Sequence, residues 1–259
     1  MFPPRRIVCL TEETVETLYL LGEQDRIVGI SGYTVRPPQA RREKSRVSAF
    51  SSANIEKIVA LEPDLVLAFS DIQAGIVADL IRRGIAVHAF NQRTLAEIFA
   101  MIRTLGALVG AGERAGALAR SLEQRVAAAR ASRPSRQPKV YFEEWDDPMI
   151  SGIGWVTELT EAAGGVDIFP ELATGRAAKD RIVTPADVVA RAPDIIIGSW
   201  CGKKFRPEKV AARPGFDTIP AVRAGALHEI KSTLILQPGP AALTDGLDAI
   251  RRIIAVWTG

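Results

Sequence analysis

Along the chain, short uninterrupted apolar runs alternate with stretches in which apolar residues recur every three or four positions, and this arrangement occurs twice. "IEKIVALEPDLVLAF" (55–69) aligns with "ADVVARAPDIIIGS" (186–199) at an offset of 130, pairing Ile58 with Val188, Pro63 with Pro193, Asp64 with Asp194, and Leu65-Val66-Leu67 with Ile195-Ile196-Ile197. Each copy predicts a short helix, a Pro-Asp turn and a buried strand. A second strand containing a histidine follows in each half, "GIAVHAF" (84–90) with His88 and "AGALHEI" (224–230) with His228. The beginnings also match: "RIVCLTEETVETLYLLG" (6–22) and "KVYFEEWDDPMISGIGWVTELTEAAGG" (139–165) each predict a strand, a polar loop and an amphipathic helix ending in glycine.

Continuous apolar strands alternating with helices indicate parallel sheets covered on both faces. Between the halves, Ala115, Leu118, Ala119, Leu122, Val126 and Ala129 fall at the i, i+3, i+4, i+7 spacing of one helix over 112–131. At about 1.5 Å per residue this helix is about 30 Å long, enough to join two lobes as a rigid strut. The expected fold is α/β, with two lobes, each a mainly parallel sheet flanked by helices, joined by one long interdomain helix. The expected boundaries are 1–110 for the first lobe, 111–136 for the backbone helix and linker, and 137–259 for the second lobe. A last helix, entered through Pro238 and Pro240, is expected to bury Leu243, Leu247, Ile250, Ile254 and Trp257.

Composition narrows the function classes. The chain has 259 residues, 47% of them hydrophobic, enough for one large core or two ordinary ones. Its 33 basic and 30 acidic side chains leave a net charge of only +3. The most basic stretch, "RVAAARASRPSRQPK" (125–139), lies between the patterned halves without interleaved aromatics, so it reads as a solvated helix end and linker, not a nucleic-acid footprint. Cys9 and Cys201 are too few for a disulfide framework and lack CxxC spacing. No apolar run approaches the roughly 18 residues of a membrane span, so no membrane insertion is expected. "MFPPRRIVCL" passes directly into a strand pattern with no export signal. Two expectations follow: a signal was removed and Met1 added, or the protein stays in the cytoplasm.

In parallel sheets of this kind ligands bind beyond the carboxyl ends of the strands, and two facing lobes would place those loops on either side of one cleft. The candidate ligand-binding residues are Glu12, Glu13, Tyr33, Phe50 and Phe69 from the first half. From the second half come Glu143, Trp145, Trp155, Trp200, Cys201, Gly202 and Lys203. Six of these are aromatic, and flat aromatic walls suit a planar macrocycle. Trp200, in "GSWCGKK" (198–204), is expected to stack on the ligand, with Gly202 allowing close backbone approach and Lys203 at the rim.

"RIVCLTEETVETLYLLGEQDRIVGISGYTVRPPQA", "RVSAFSSANIEKIVALEPDLVLAF" and "IVTPADVVARAPDIIIGS" resemble the substrate-binding proteins of ABC importers that have a helical backbone between lobes, in their cobalamin and iron-siderophore branch. The likeness covers nearly the whole chain, and "GISGYTVRPPQA" followed by "NIEKIVALEPDLVLA" is most similar to cobalamin-binding members. The resemblance implies the class III periplasmic-binding-protein fold and capture of a bulky metal chelate, cobalamin or a related corrinoid, with little lobe closure. It also implies a monomer that delivers its ligand to an ABC permease from the periplasm, with no resident cofactor or metal. Members dock through an exposed acidic residue on each lobe. Glu56 takes the first position, while the second is Ala186 with Asp187 beside it. The acidic first loops, Glu12 and Glu13 with Glu143, Glu144, Asp146 and Asp147, depart from the small polar residues and proline usual in cobalamin-binding relatives, and converging like charges would disfavour an anionic ligand.

Other chemistry fits less well. In "GSWCGKK" only three residues separate Gly198 from Gly202, and Lys204 stands where a phosphate loop has Ser or Thr. "GIGWVT" (152–157) has Thr157 in place of the third glycine of a GxGxxG. Cys201 as a nucleophile needs an adjacent histidine, and His88 and His228 occupy equivalent strand positions that read as structural. Two histidines fall short of a bare-metal receptor. The expectation is a binding protein with no catalytic residues. A cytoplasmic carrier or sensor on the same fold is the alternative, and a carboxylate-dependent enzyme is the second alternative.

Overall fold

In the first half, the apolar runs become β1 (Ile7–Cys9), β2 (Ile27–Ser31), β3 (Ser45–Ser48), β4 (Leu65–Phe69) and β5 (Val87–Phe90), seen in a computed structural model that describes residues 2–259. Met1, where the first expected lobe begins, lies outside the described residues. The strand order is β3-β2-β1-β4-β5 and every pair is parallel. β1 and β4 are central and covered on both faces, so their side chains are apolar at every position. Val8, Leu10, Ile58, Val66, Ala68 and Leu80 form the core on one side. The helices here are α1 (Glu12–Leu20), α2 (Ala40–Glu43), α3 (Ile55–Val59), α4 (Ala74–Arg82) and α5 (Leu95–Leu108). Because the chain winds from β1 out to β3 and then returns to β4 on the other side of β1, the carboxyl ends of β1 and β4 flank a topological switch point.

The next helix, α6 (Gly112–Ala131), buries Ala115, Ala119, Leu122, Val126 and Ala129. The chain forms two compact units. The first runs to Gln92 and includes Ala96–Ser121, and the second comprises Arg93–Leu95 and Leu122–Gly259.

The second unit contains β6 (Lys139–Asp146), β7 (Met149–Ser151), β8 (Val166–Asp167), β9 (Ile195–Gly198) and β10 (Leu227–Glu229). The order is β10-β9-β6-β7, with β8 beside the start of β6. β6, β9 and β10 are parallel and β7 is antiparallel to β6. Here the structure departs from the sequence reading. Residues 143–146, expected in a loop, are the last residues of β6, and the chain reverses at Asp147-Pro148 to pair Trp145 with Ile150 and Glu143 with Ser151. The polar stretch remains a strand because its charges are matched by side chains from distant parts of the chain. The flanking helices are α7 (Gly154–Ala163), α8 (Pro185–Arg191), α9 (Pro207–Ala211), α10 (Pro220–Arg223), α11 (Ser232–Ile235) and α12 (Leu247–Thr258). Leu243, Leu247, Ile250 and Ile254 are buried, whereas Trp257 is half-buried with the Arg136 guanidinium 4.3 Å from its ring centre. His88 and His228 hold equivalent places, each registered with the central strand beside it (Leu67 and Ile197), and burial lowers the pKa of both.

Candidate functional site

In the first unit the carboxyl ends of β2, β3 and β4 carry three exposed apolar side chains: Tyr33 at 61%, Phe50 at 36% and Ile72 at 52%. Each sits on a hydrogen-bonded turn. The Tyr33 N–H donates to Ser31 Oγ (3.2 Å), and Gly32 N–H beside it donates to the Ser48 carbonyl (2.7 Å). Phe50 is at the tip of a turn closed by Ala49 N–H on the Ser52 carbonyl (2.8 Å). Ile72 N–H donates to Ser70 Oγ (3.3 Å), and Ser70 holds a left-handed φ of +59° while its own N–H donates to the Phe90 carbonyl (2.7 Å). A left-handed non-glycine residue is kept only where its surroundings over-determine it, often at functional loops. Ile72 was not read from the sequence, where "SDIQA" (70–74) looks like an ordinary helix start. Phe69, by contrast, is buried in β4.

Glu12 and Glu13 open α1 at the carboxyl end of β1, and both are buried. Glu12 accepts the Val35 N–H (2.7 Å), and Glu13 accepts the Thr11 hydroxyl (2.6 Å). Their other oxygens, Glu12 Oε1 and Glu13 Oε2, are buried without a partner. Burial therefore raises Glu12 to about 8, against the Val35 hydrogen bond, and Glu13 to about 7, against the Thr11 hydrogen bond. The sign of the pH effect follows. Unfolded, both ionise near about 4.3, while the folded state retains the protons, so the stability they contribute is complete below that value and is lost as pH rises. The loss is over by about 7 for Glu13 and about 8 for Glu12. The unfolding midpoint is expected to fall as pH rises from about 4.3 to about 8, most steeply below about 7, where both groups contribute. Thermal melts of Glu12→Gln/Glu13→Gln should lose this fall; a fall of equal size in the double variant would assign it to other groups.

In the second unit the charged residues form a paired network. Glu143, 0% exposed, holds Arg213 in a bidentate pair (2.5 and 3.0 Å) and accepts the Trp200 indole N–H (2.9 Å). Glu144 pairs with the buried Arg181 (2.6 Å). Asp146 takes the Lys203 ammonium and Lys209 (3.1 Å); burial opposes its ionisation, and the two lysines outweigh burial and hold its pKa below the ordinary value.

Trp200 is only 4% exposed and packs edge-on to Phe205 with ring centres 5.0 Å apart, inside the core. This approach depends on Gly198, where a Cβ would lie 1.9 Å from the Phe205 ring. Trp155 is also buried and donates to the Ile235 carbonyl (2.8 Å). The aromatic left partly open is Trp145, with Lys203 Nζ 3.9 Å above its ring centre. Cys201, Gly202 and Lys203 are exposed, and Gly202 has a φ of +76° with open space around it. The structure thus brings Trp145, Lys203 and Asp146 together and assigns Trp155 and Trp200 to packing.

Glu56 is exposed on α3 and pairs with Arg83 (2.5 Å). Asp187 accepts the Thr184 N–H (2.8 Å) and hydroxyl (2.6 Å), so it serves the capping box of α8. Among the described residues no group of three or more His, Cys, Asp or Glu side chains converges to hold a metal, and no helix is long and apolar enough to cross a membrane.

The sequence profile of a family described as periplasmic binding protein matches residues 7–234. The vitamin B12-binding protein of Vibrio cholerae is 32% identical over 174 residues, which is 66% of this chain and 63% of that relative, a little under two thirds of its length. The solved structure of the periplasmic vitamin B12 binding protein BtuF of Vibrio cholerae is similar with a TM-score of 0.76 at 26% identity, over 99% of this chain and 98% of that one. The apo form of the periplasmic heme-binding protein RhuT from Roseiflexus sp. RS-1 gives a TM-score of 0.82 at 23% identity, over 96% and 99%.

Proposed function

Because the chain belongs to the periplasmic binding protein family, and is therefore a binding protein and not an enzyme, we propose that it captures a metal chelate, cobalamin or another corrinoid, for ABC-type import. The observation that carries this reading is the exposed apolar rim of Tyr33, Phe50 and Ile72 at the carboxyl ends of three parallel strands. Folding normally buries such side chains, and a cluster of them at strand ends marks a ligand surface. The vitamin B12-binding relatives support the choice of a corrinoid. In the second unit Trp145, Cys201, Gly202 and Lys203 are the candidate residues left at least partly exposed.

The neutralised acids of both units support the same reading. Burial raises the pKa of Glu12 to about 8 and of Glu13 to about 7, and Glu143 and Asp146 are paired with basic side chains, so these acids present less negative charge to a ligand than their number suggests. Delivery to a permease from the periplasm is part of the proposal, with Glu56 on α3 as the exposed acidic contact and Asp187 occupied by its helix cap.

Titration of the protein with cyanocobalamin and, separately, hemin tests the function. The expected result is saturable 1:1 binding, tighter for cyanocobalamin, with the chelate recovered chemically unchanged. Absence of binding to both would overturn the proposal.

A further inference from the structure

Gln73, between β4 and α4, is completely buried although its side chain is a polar amide. Its Oε1 accepts the Phe69 N–H at the end of β4 (2.9 Å). Its Nε2 donates to the Phe50 carbonyl at the tip of the loop after β3 (2.8 Å) and to the Leu10 carbonyl just past β1 (3.4 Å). One acceptor and two donors are all used, and only this orientation of the amide sets oxygen against N–H and nitrogen against both carbonyls. Gln73 thus joins three strand-end loops at the switch point of the first sheet, in the turn that also contains strained Ser70 and exposed Ile72.

Gln73 is more than a core residue because of what it holds. Phe50 is at the tip of a four-residue turn between Ala49 and Ser52, with its side chain partly in solvent, and the Gln73 bond fixes its carbonyl from beneath. A leucine or methionine of similar size would fill the volume but leave the Phe69 N–H and the Phe50 carbonyl to find other partners. Local core packing does not require a glutamine here, whereas an aromatic side chain presented at fixed height to a flat ligand does.

We infer that Gln73 is a positioning residue for ligand binding, fixing Phe50 relative to Tyr33 and Ile72; this rests on the chelate-binding reading above. Gln73→Met removes all three hydrogen bonds, and Gln73→Glu keeps the acceptor for Phe69 but sets a carboxylate oxygen against the Phe50 and Leu10 carbonyls. Both should weaken cyanocobalamin binding by about tenfold or more. In a Phe50→Ala background, Gln73→Met should add less than about twofold, because the side chain through which it acts is gone. Leu80→Ala, which cuts into the same core at the far end of α4, serves as the control. It should lower the unfolding midpoint and leave the affinity of the folded protein unchanged. Retained affinity in Gln73→Met, or an equal loss with and without Phe50, would overturn the inference. If the wild-type protein bound neither cyanocobalamin nor hemin, the functional reading would fall and the inference with it; wild-type binding with an unaffected Gln73→Met would overturn the inference alone.

Discussion

Arg213→Met should destabilise the second unit by about 3–5 kcal/mol, the cost of leaving a buried charge without its partner. Glu143 is 0% exposed, and without Arg213 its carboxylate would lose its one cationic partner while keeping the Trp200 indole N–H at 2.9 Å. The effect should spread to packing. Trp200 is held by Glu143 on one side and by Phe205 on the other, so an ionised Glu143 drawn toward solvent would take the indole's partner with it. Urea unfolding of Arg213→Met checks the magnitude, and near-ultraviolet circular dichroism reports the loss of fixed tryptophan packing. Glu143→Gln/Arg213→Met, which removes both charges, should recover much of the loss, since an absent pair costs less than a broken one. A loss below about 1 kcal/mol in the single variant would mean that the pair behaves like an exposed one.

Elements set by local periodicity were legible in the sequence. The stripe Ala115, Leu118, Ala119, Leu122, Val126 and Ala129 predicted a helix over 112–131, and α6 covers Gly112–Ala131 with all of them buried except Leu118, which is half-buried. The repeat at an offset of 130 placed β4 and β9 after Pro-Asp turns, because an uninterrupted apolar run can be satisfied only by burial on both faces. The acidic end of β6 was hidden because its strand character depends on Arg213, Lys203 and Lys209, residues 70, 57 and 63 positions away from their partners.

Among the candidate residues, strand-end location was readable and side-chain direction was not. Tyr33 and Phe50 follow their strands on exposed turns, whereas Trp155 and Trp200, read from the same kind of position, are directed into the core by the Ile235 carbonyl and the Glu143 carboxylate. No local pattern announces such distant partners. Ile72 and Gln73 were missed for the opposite reason: one is an apolar residue that stays exposed, and the other a polar residue that is buried.

The second large effect concerns the rim itself. If Tyr33, Phe50 and Ile72 form the ligand face, replacing all three with serine should remove apolar contacts worth roughly 1.5–3 kcal/mol for each side chain fully covered by ligand. Even with partial coverage, a loss of about 3 kcal/mol, more than a hundredfold in Kd, is expected. The protein should remain folded, because Tyr33, Phe50 and Ile72 are 61%, 36% and 52% exposed and none belongs to the buried core of its unit. Calorimetric titration of Tyr33→Ser/Phe50→Ser/Ile72→Ser with cyanocobalamin, alongside the wild-type protein, tests the ligand face most directly. The account predicts a more than hundredfold weaker Kd at an unchanged unfolding midpoint, and an affinity within about threefold of wild type would contradict it.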